Sequence, residues 1–168
     1  MTVLTTERLR IEEMTEADLD DFAALLGDVF VMRYYPRPKT RAETLEWIFL
    51  NRRRYCEQGH GLWKLSRLED GAFVGDCGLT IQRVDGVDEL ELGYHVAPRC
   101  QRTGLATEAA RACRDWASTE LGAARVIAII HPDNVASQRV ATNAGLTLEK
   151  RTTGYGPGTE VMIYATAL

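Results

Sequence analysis

"RCQRTGLATEAA" (residues 99–110) sits between a strand-like and a helix-like run. Before it, "ELELGYHV" (89–96) alternates as a strand does, and Pro98 stops it. After it, Leu105, Ala109, Ala112, Cys113 and Trp116 recur at helical spacing and form one apolar stripe. A helix expected to begin near Thr103 would present unpaired backbone N–H groups and the positive end of its dipole. Gly104 and Ala106 carry no bulk that would keep an oxyanion off that backbone, and Gln101 and Arg102 could add side-chain donors. The stretch therefore reads as a diphosphate site. It is neither a Walker loop, since Leu-Ala-Thr follows Gly104 where the phosphate-binding lysine is needed, nor a dinucleotide fingerprint, since only one of the three glycines is present.

Working outward, "RLRIEE" (8–13) reads as a first strand, and Thr15-Glu16-Ala17-Asp18 as a capping box opening a helix through Leu26. A loop with two tyrosines, "VMRYYPRPKT" (31–40), precedes a second helix from about Arg41 to Gln58, ended by Gly59. Strands follow at 61–68 and 72–82 around the turn Glu69-Asp70-Gly71, with the strand at 89–96 fourth in order. "RVIAII" (125–130) is short and wholly apolar, as a strand buried on both faces is. Pro132-Asp133-Asn134 opens a short helix to about Ala144, stopped by Gly145. Two last strands, 146–153 and 160–166, flank the turn "GYGPG" (154–158). This order predicts an α/β domain with a mixed sheet, its strands mostly antiparallel.

The 168 residues suit one domain (1–168), with 45% hydrophobic and 26% charged residues and no apolar run of membrane-spanning length. The N-terminus shows no signal-peptide pattern, so a cytoplasmic location with no membrane partner is expected. A net charge of −4 argues against a nucleic-acid partner. Four separated cysteines and three isolated histidines give no metal-ligand spacing, so no metal is expected. Cys77 and Cys113 read as core residues; Cys100 lies in the phosphate-type loop, where no activating base is evident. Arg52-Arg53-Arg54 reads as a solvated helix face.

Val96-x-Pro98-x-x-Gln101-x-x-Gly104-x-Ala106 resembles motif A of the GNAT superfamily of acyl-CoA-dependent N-acyltransferases. "TERLRIEEMTEADLDDF" (6–22), "LGYHVAPRCQRTGLATEA" (92–109) and "HPDNVASQRVATNAGL" (131–146) are similar to its RimJ/RimL-type branch, in the family's order along nearly the whole chain. The resemblance implies the GNAT fold, whose fourth and fifth strands, here "ELELGYHV" and "RVIAII", splay apart to admit a pantetheine arm. It implies acetyl-CoA as cosubstrate, with His95 and Val96 holding the pantetheine and polarising the acyl carbonyl through backbone groups. Gln101, Arg102, Thr103, Gly104, Leu105 and Ala106 would grip the diphosphate, and Asn134 would contact the pantetheine; an asparagine there also suits a helix cap.

Acyl transfer to an amine requires a base, because an alkylammonium with a pKa near ~10 has no lone pair. Glu89 and Glu91 share one face of their strand; Glu91 lies nearer the expected splay and is the candidate base, against the alternative of a solvated carboxylate. Many GNAT members carry a tyrosine acid seven residues after the asparagine; here that position is Ala141, and Ser137 is the candidate to position or protonate the departing sulfur. Tyr34, Tyr35 and Tyr155 are candidates for the acceptor wall. The resemblance implies direct attack in a ternary complex by a primary amine, on a protein N-terminus or a small molecule, and is compatible with a homodimer. A non-catalytic acyl-CoA sensor is the rival reading, favoured by the absent tyrosine; a nucleotide-binding regulatory module is a weaker one.

Overall fold

The computed structural model describes residues 1–156 and 158–168. Eight strands form one sheet in the order β1-β2-β3-β4-β5-β6-β8-β7. They are β1 (Thr2–Thr5), β2 (Leu9–Glu12), β3 (Leu62–Arg67), β4 (Phe73–Val84), β5 (Val87–Val96), β6 (Arg125–Ile130), β7 (Thr147–Thr152) and β8 (Val161–Ala167). Every neighbouring pair is antiparallel except β5 and β6. The mixed, mostly antiparallel sheet is the one expected. Because β1 was not anticipated, the strands expected as fourth and fifth are β5 and β6.

Helices α1 (Leu19–Leu26) and α2 (Arg41–Gln58) cover one face, where Phe22, Leu25, Leu26 and Ile48 pack with Leu62, Phe73 and Ala97. Phe22 meets Trp47 and Phe73 edge-on or tilted, at centroid distances of 5.3 and 5.0 Å. Helices α3 (Leu105–Leu121) and α4 (Val135–Asn143) cover the other face. There Leu105, Ala109, Cys113, Ala117 and Ala141 pack against Trp63, Cys77, Leu92 and Val96. The predicted stripe on α3 is thus its core face, and Cys77 and Cys113 are fully buried within it.

Several boundaries differ from expectation for physical reasons. Thr15 opens a 3-10 turn (Glu16–Asp18) before α1, with the Asp18 carboxylate accepting from the Thr15 N–H at 2.7 Å. Asp85 and Gly86 alone turn β4 into β5, with φ of 50° and 80°, so both strands run further than the expected turn over 84–88 allowed. The turn expected over 154–158 includes Pro157, which lies outside the described residues.

The N-terminal strands are latched to α3. The Glu108 carboxylate accepts from Thr6 Oγ1 (2.6 Å), the Arg8 N–H (2.8 Å) and Arg8 Nε (2.7 Å), while another Arg8 nitrogen reaches the Thr103 carbonyl at 3.0 Å. Partial burial opposes ionisation of Glu108, but the bonds from Thr6 and Arg8 prevail and hold its pKa below the ordinary value. A depressed carboxylate pKa contributes stability above the unfolded-state value, and that contribution is lost as pH falls through the folded-state value. Glu108→Gln is expected to lower stability by about 1–3 kcal/mol at neutral pH. In urea titrations the gap from the unsubstituted protein should narrow below pH ~4.

Candidate active site

The parallel pair β5–β6 meets at a single register position, Glu91↔Ile127. The Ala97 N–H donates to the Val74 carbonyl across β4 at 2.8 Å. Strand alternation then turns the main-chain groups of Tyr94 and Val96 away from β4, toward β6, where no ladder pairing continues. An extended arm with its own amides fits that open edge as an added strand.

At the C-terminal end of β5 the phosphate-type loop is tied down internally. A 3-10 turn (Pro98–Cys100) buries Cys100, and Thr103 Oγ1 donates to the Cys100 carbonyl at 2.6 Å. Gln101 Nε2 donates to the Val96 carbonyl at 2.9 Å, so this side chain, expected on the diphosphate, is turned back onto β5 and shapes the loop. Arg102 is exposed with φ of 62°, and Gly104 has φ of 84°. The left-handed Gly104 delays α3 to Leu105, two residues later than expected near Thr103. Glu108 makes the first helical bond, to the Gly104 carbonyl, which leaves the amides of Leu105, Ala106 and Thr107 without helical acceptors. These amides head a 17-residue helix, a donor set that fits a diphosphate.

The face of β5 toward α2 carries Glu91 and His95, with only Gly93 between them. Glu91 lies opposite Thr80, whose hydroxyl donates to its Oε2 at 3.0 Å; Gln82 Nε2 donates to Thr80 Oγ1 at 3.2 Å, and the Tyr155 hydroxyl reaches Gln82 Oε1 at 3.5 Å. Tyr155 is placed by the β4–β5 turn, where the Asp85 N–H donates to the Gly154 carbonyl (3.1 Å) and its carboxylate accepts from Thr152 Oγ1 (2.5 Å). Burial raises the Glu91 pKa, and the Thr80 and Gln82 bonds and the His95 and Arg54 charges only partly offset it.

Asp76 is fully buried opposite His95, its two oxygens 3.0 and 3.1 Å from His95 Nδ1. An ionised carboxylate can only accept, so Nδ1 carries the proton and Nε2 is left bare. The Tyr35 hydroxyl lies 2.8 Å from Nε2 and is its donor. Burial disfavours the imidazolium, but the Asp76 charge and bond outweigh it and raise the His95 pKa. Arg54, expected on a solvated face, is instead partly buried; desolvation lowers its pKa, and the Glu91 carboxylate opposes that shift.

On the opposite face, Asn134 caps α4 by accepting from the Ser137 N–H at 3.1 Å. The Ser137 hydroxyl donates to the Tyr94 hydroxyl at 3.0 Å, and Tyr94 donates to the Ser137 carbonyl at 2.9 Å. Tyr34 donates to the Asp133 carbonyl at 3.0 Å and stacks on His131. It straps the 27–40 loop to the β6–α4 loop, so its hydroxyl is committed there, while Tyr35 and Tyr155 stay on the α2 face with Glu91. Among the described residues, no three His, Cys, Asp or Glu side chains gather as metal ligands, and no helix is long and apolar enough to cross a membrane.

A family model described as an acetyltransferase (GNAT) domain matches residues 8–147. The chain belongs to the GNAT acetyltransferase family. GNAT enzymes transfer acetyl from acetyl-CoA to an amine acceptor. An uncharacterised protein of Bacillus subtilis strain 168, YkkB, is 37% identical over 150 residues, spanning 89% of this chain and 87% of its own. The crystal structure of an acetyltransferase from Agrobacterium tumefaciens strain C58 superposes with a TM-score of 0.83 at 25% identity, covering 97% of this chain and 92% of that one. RimL, a ribosomal L7/L12 alpha-N-protein acetyltransferase solved with coenzyme A, shares the fold with a TM-score of 0.79 at 16% identity, covering 100% of this chain and 98% of its own.

Asp76, Thr80, Gln82 and Tyr94 carry no local sequence signal that marks them for the site, and Arg54 reads only as part of a solvated face. A usable signal existed: reading Asp85-Gly86 as a two-residue hairpin turn and counting outward places Thr80 opposite Glu91 and Asp76 opposite His95.

Proposed function

We propose that this GNAT protein acetylates a primary amine, on a protein N-terminus or a small molecule, by direct attack on acetyl-CoA in a ternary complex. The observation that carries the proposal is the single β5–β6 pairing at Glu91↔Ile127, which leaves an open strand edge beside a partly buried carboxylate. In this reading the backbone of Tyr94 and Val96 receives the pantetheine, and the Val96 N–H steadies the oxyanion. The main chain of His95, expected on the pantetheine, is instead turned toward Asp76 of β4 by the strand alternation, so its neighbours Tyr94 and Val96 supply the backbone groups. The amides at Leu105 and Ala106, with Thr103, Gly104 and the exposed Arg102 guanidinium, take the diphosphate. Asn134 holds the α4 end of the arm through its free amide.

Glu91 is a base for the amine nitrogen; its raised pKa makes its carboxylate a stronger proton acceptor than a solvated one. Ser137, with Tyr94 behind it, faces the departing sulfur. Tyr35 and Tyr155 wall the acceptor site, with Tyr34 as the strap that closes it. Cys100 takes no part, being buried within the loop. The reading needs no metal, and acetyl-CoA is the only cosubstrate.

Thiol release from acetyl-CoA with a panel of benzylamine, 1,5-diaminopentane and tri-alanine amide tests the reading, with product mass as a second readout. Acetylation of at least one amine is expected. Coenzyme A binding without turnover across a broad extension of the panel would leave a sensor in place of an enzyme.

A further inference from the structure

We propose that Tyr35, His95 and Asp76 form a proton relay that takes the first proton from the incoming ammonium, a positioning and catalytic device distinct from Glu91. The inference rests on the acetyl-transfer reading above; it gives Tyr35 a part beyond walling the acceptor site, and assigns a role to the His95 and Asp76 side chains, which that reading does not use.

The geometry is that of a directed chain. Asp76 is 0% exposed and its carboxylate meets His95 Nδ1; the His95 side chain is 13% exposed, and its Nε2 meets the Tyr35 hydroxyl. Tyr35 is 49% exposed, so its ring reaches the surface while its hydroxyl is bonded inward. One end of the chain is therefore at the mouth of the site and the other in the core. The mouth end is held in place by the 27–40 loop: the Asp28 carboxylate accepts from the Phe30 and Val31 amides at 2.8 and 3.0 Å, and the Tyr35 N–H donates to the Met32 carbonyl at 2.9 Å. The core end is fixed by the β4–β5 register.

A buried carboxylate on a histidine that bonds a half-exposed phenol is costly as mere structure. Asp76 alone in the core would be an uncompensated charge. His95 compensates it only when its Nδ1–H points inward, and that choice leaves Nε2 as a bare base aimed at Tyr35.

Acylating an alkylammonium removes two protons from one nitrogen. The first leaves before attack, and the second leaves the tetrahedral adduct. One ends on the thiolate of coenzyme A and the other goes to solvent. The first is the harder, because the ammonium is the weaker acid, and imidazole is a stronger base than a carboxylate. In the relay, an N–H of the ammonium passes its proton to the Tyr35 oxygen as the Tyr35 proton passes to His95 Nε2. The nitrogen keeps the lone pair of the broken N–H bond, the phenol is restored, and the imidazolium faces Asp76. Glu91, two residues beyond Gly93 on the same strand face, then accepts the second proton from the acidified nitrogen.

The groups facing His95 favour this direction of transfer. Asp76 from β4 and Glu91 from β5 raise its proton affinity, and Lys39 from the 27–40 loop opposes them. Arg54 of α2 faces Glu91 from across the site. Burial, with the Glu91 and Asp76 charges, raises the Tyr35 pKa, so the phenol enters each cycle protonated.

The test combines two measurements on the full chain. Imidazole 15N titration should place His95 above the ordinary histidine range, and Asp76→Asn should bring it down. The fastest amine of the panel is then assayed from pH 6 to 9 with the unsubstituted protein, Tyr35→Phe and His95→Gln. Coenzyme A binding serves as the check on folding. The unsubstituted protein should show an acid limb in kcat/KM that ends at the pH where His95 titrates and is followed by a plateau. Both variants should lose about ten- to hundredfold at pH 7. They should also lose the plateau, with rates climbing tenfold per pH unit as free amine becomes available. A plateau retained in both variants, or a His95 titration that Asp76→Asn leaves unmoved, overturns the relay while leaving acetyl transfer standing. An unsubstituted protein silent toward every amine removes the transfer reading, and the relay with it.

Discussion

Glu91→Gln is expected to slow turnover about 10²- to 10³-fold while changing coenzyme A affinity by less than about threefold. Glutamine has the shape of glutamate, and its carbonyl can still accept from Thr80, which donates to Glu91 at 3.0 Å. The change therefore removes basicity and little else. It also leaves the open edge of β5 intact, because the pairing with Ile127 is made by backbone. Steady-state thiol release set beside calorimetric titration of coenzyme A separates the two effects. The raised Glu91 pKa also fixes the sign of a pH effect. A carboxylate held above its ordinary value stays protonated further up the scale, so its contribution is lost on the acid side of the profile. Equal rates for Glu91→Gln and the unsubstituted protein across that range would remove Glu91 from the reaction.

The second large effect is on the donor. Gly104→Val is expected to weaken coenzyme A binding at least about 100-fold, equivalent to about 2.7 kcal/mol. Gly104 has φ of 84°, a region open to glycine and closed to a β-branched residue. Valine would draw the loop out of that conformation and turn the Leu105 and Ala106 amides away from the diphosphate. Arg102→Gly is the contrasting change. Arg102 also sits at positive φ, 62°, so glycine there removes strain and costs only the guanidinium charge. Circular dichroism is the check that both variants fold. Tight coenzyme A binding by folded Gly104→Val would place the diphosphate elsewhere.

What could be read in advance divides along physical lines. The helix at 105–121 was legible from its hydrophobic period, and the buried strand at 125–130 from its short, wholly apolar run. Strand β1 was not, because Thr2–Thr5 offers only Val3 and Leu4 between threonines and is a strand only by pairing with β2. Strand parity put Glu89 and Glu91 on one face, and nearness to the splay implied by the family resemblance singled out Glu91. Its surroundings were not legible, since Arg54 and Tyr155 reach it from α2 and from the 152–156 turn, through packing that no local pattern encodes. Gln101 shows the converse. A donor in a phosphate-type loop invites a ligand contact, yet the nearer Val96 carbonyl takes it. Asn134 and Ser137 were legible as a helix start, and the cap is what their geometry records.

The strap made by Tyr34 joins the two walls of the cleft through one hydroxyl and one stacked ring, with its centroid 5.1 Å from that of His131. In the proposed reading one wall belongs to the acceptor side and the other to the thioester side, so neither would open wide without tugging on its opposite number. A bulky acceptor admitted by parting the walls would loosen the grip on the acyl donor at the same moment. On that reading acceptor size and donor retention would be traded against each other at a single tyrosine, and broadening the range of amines taken would begin there.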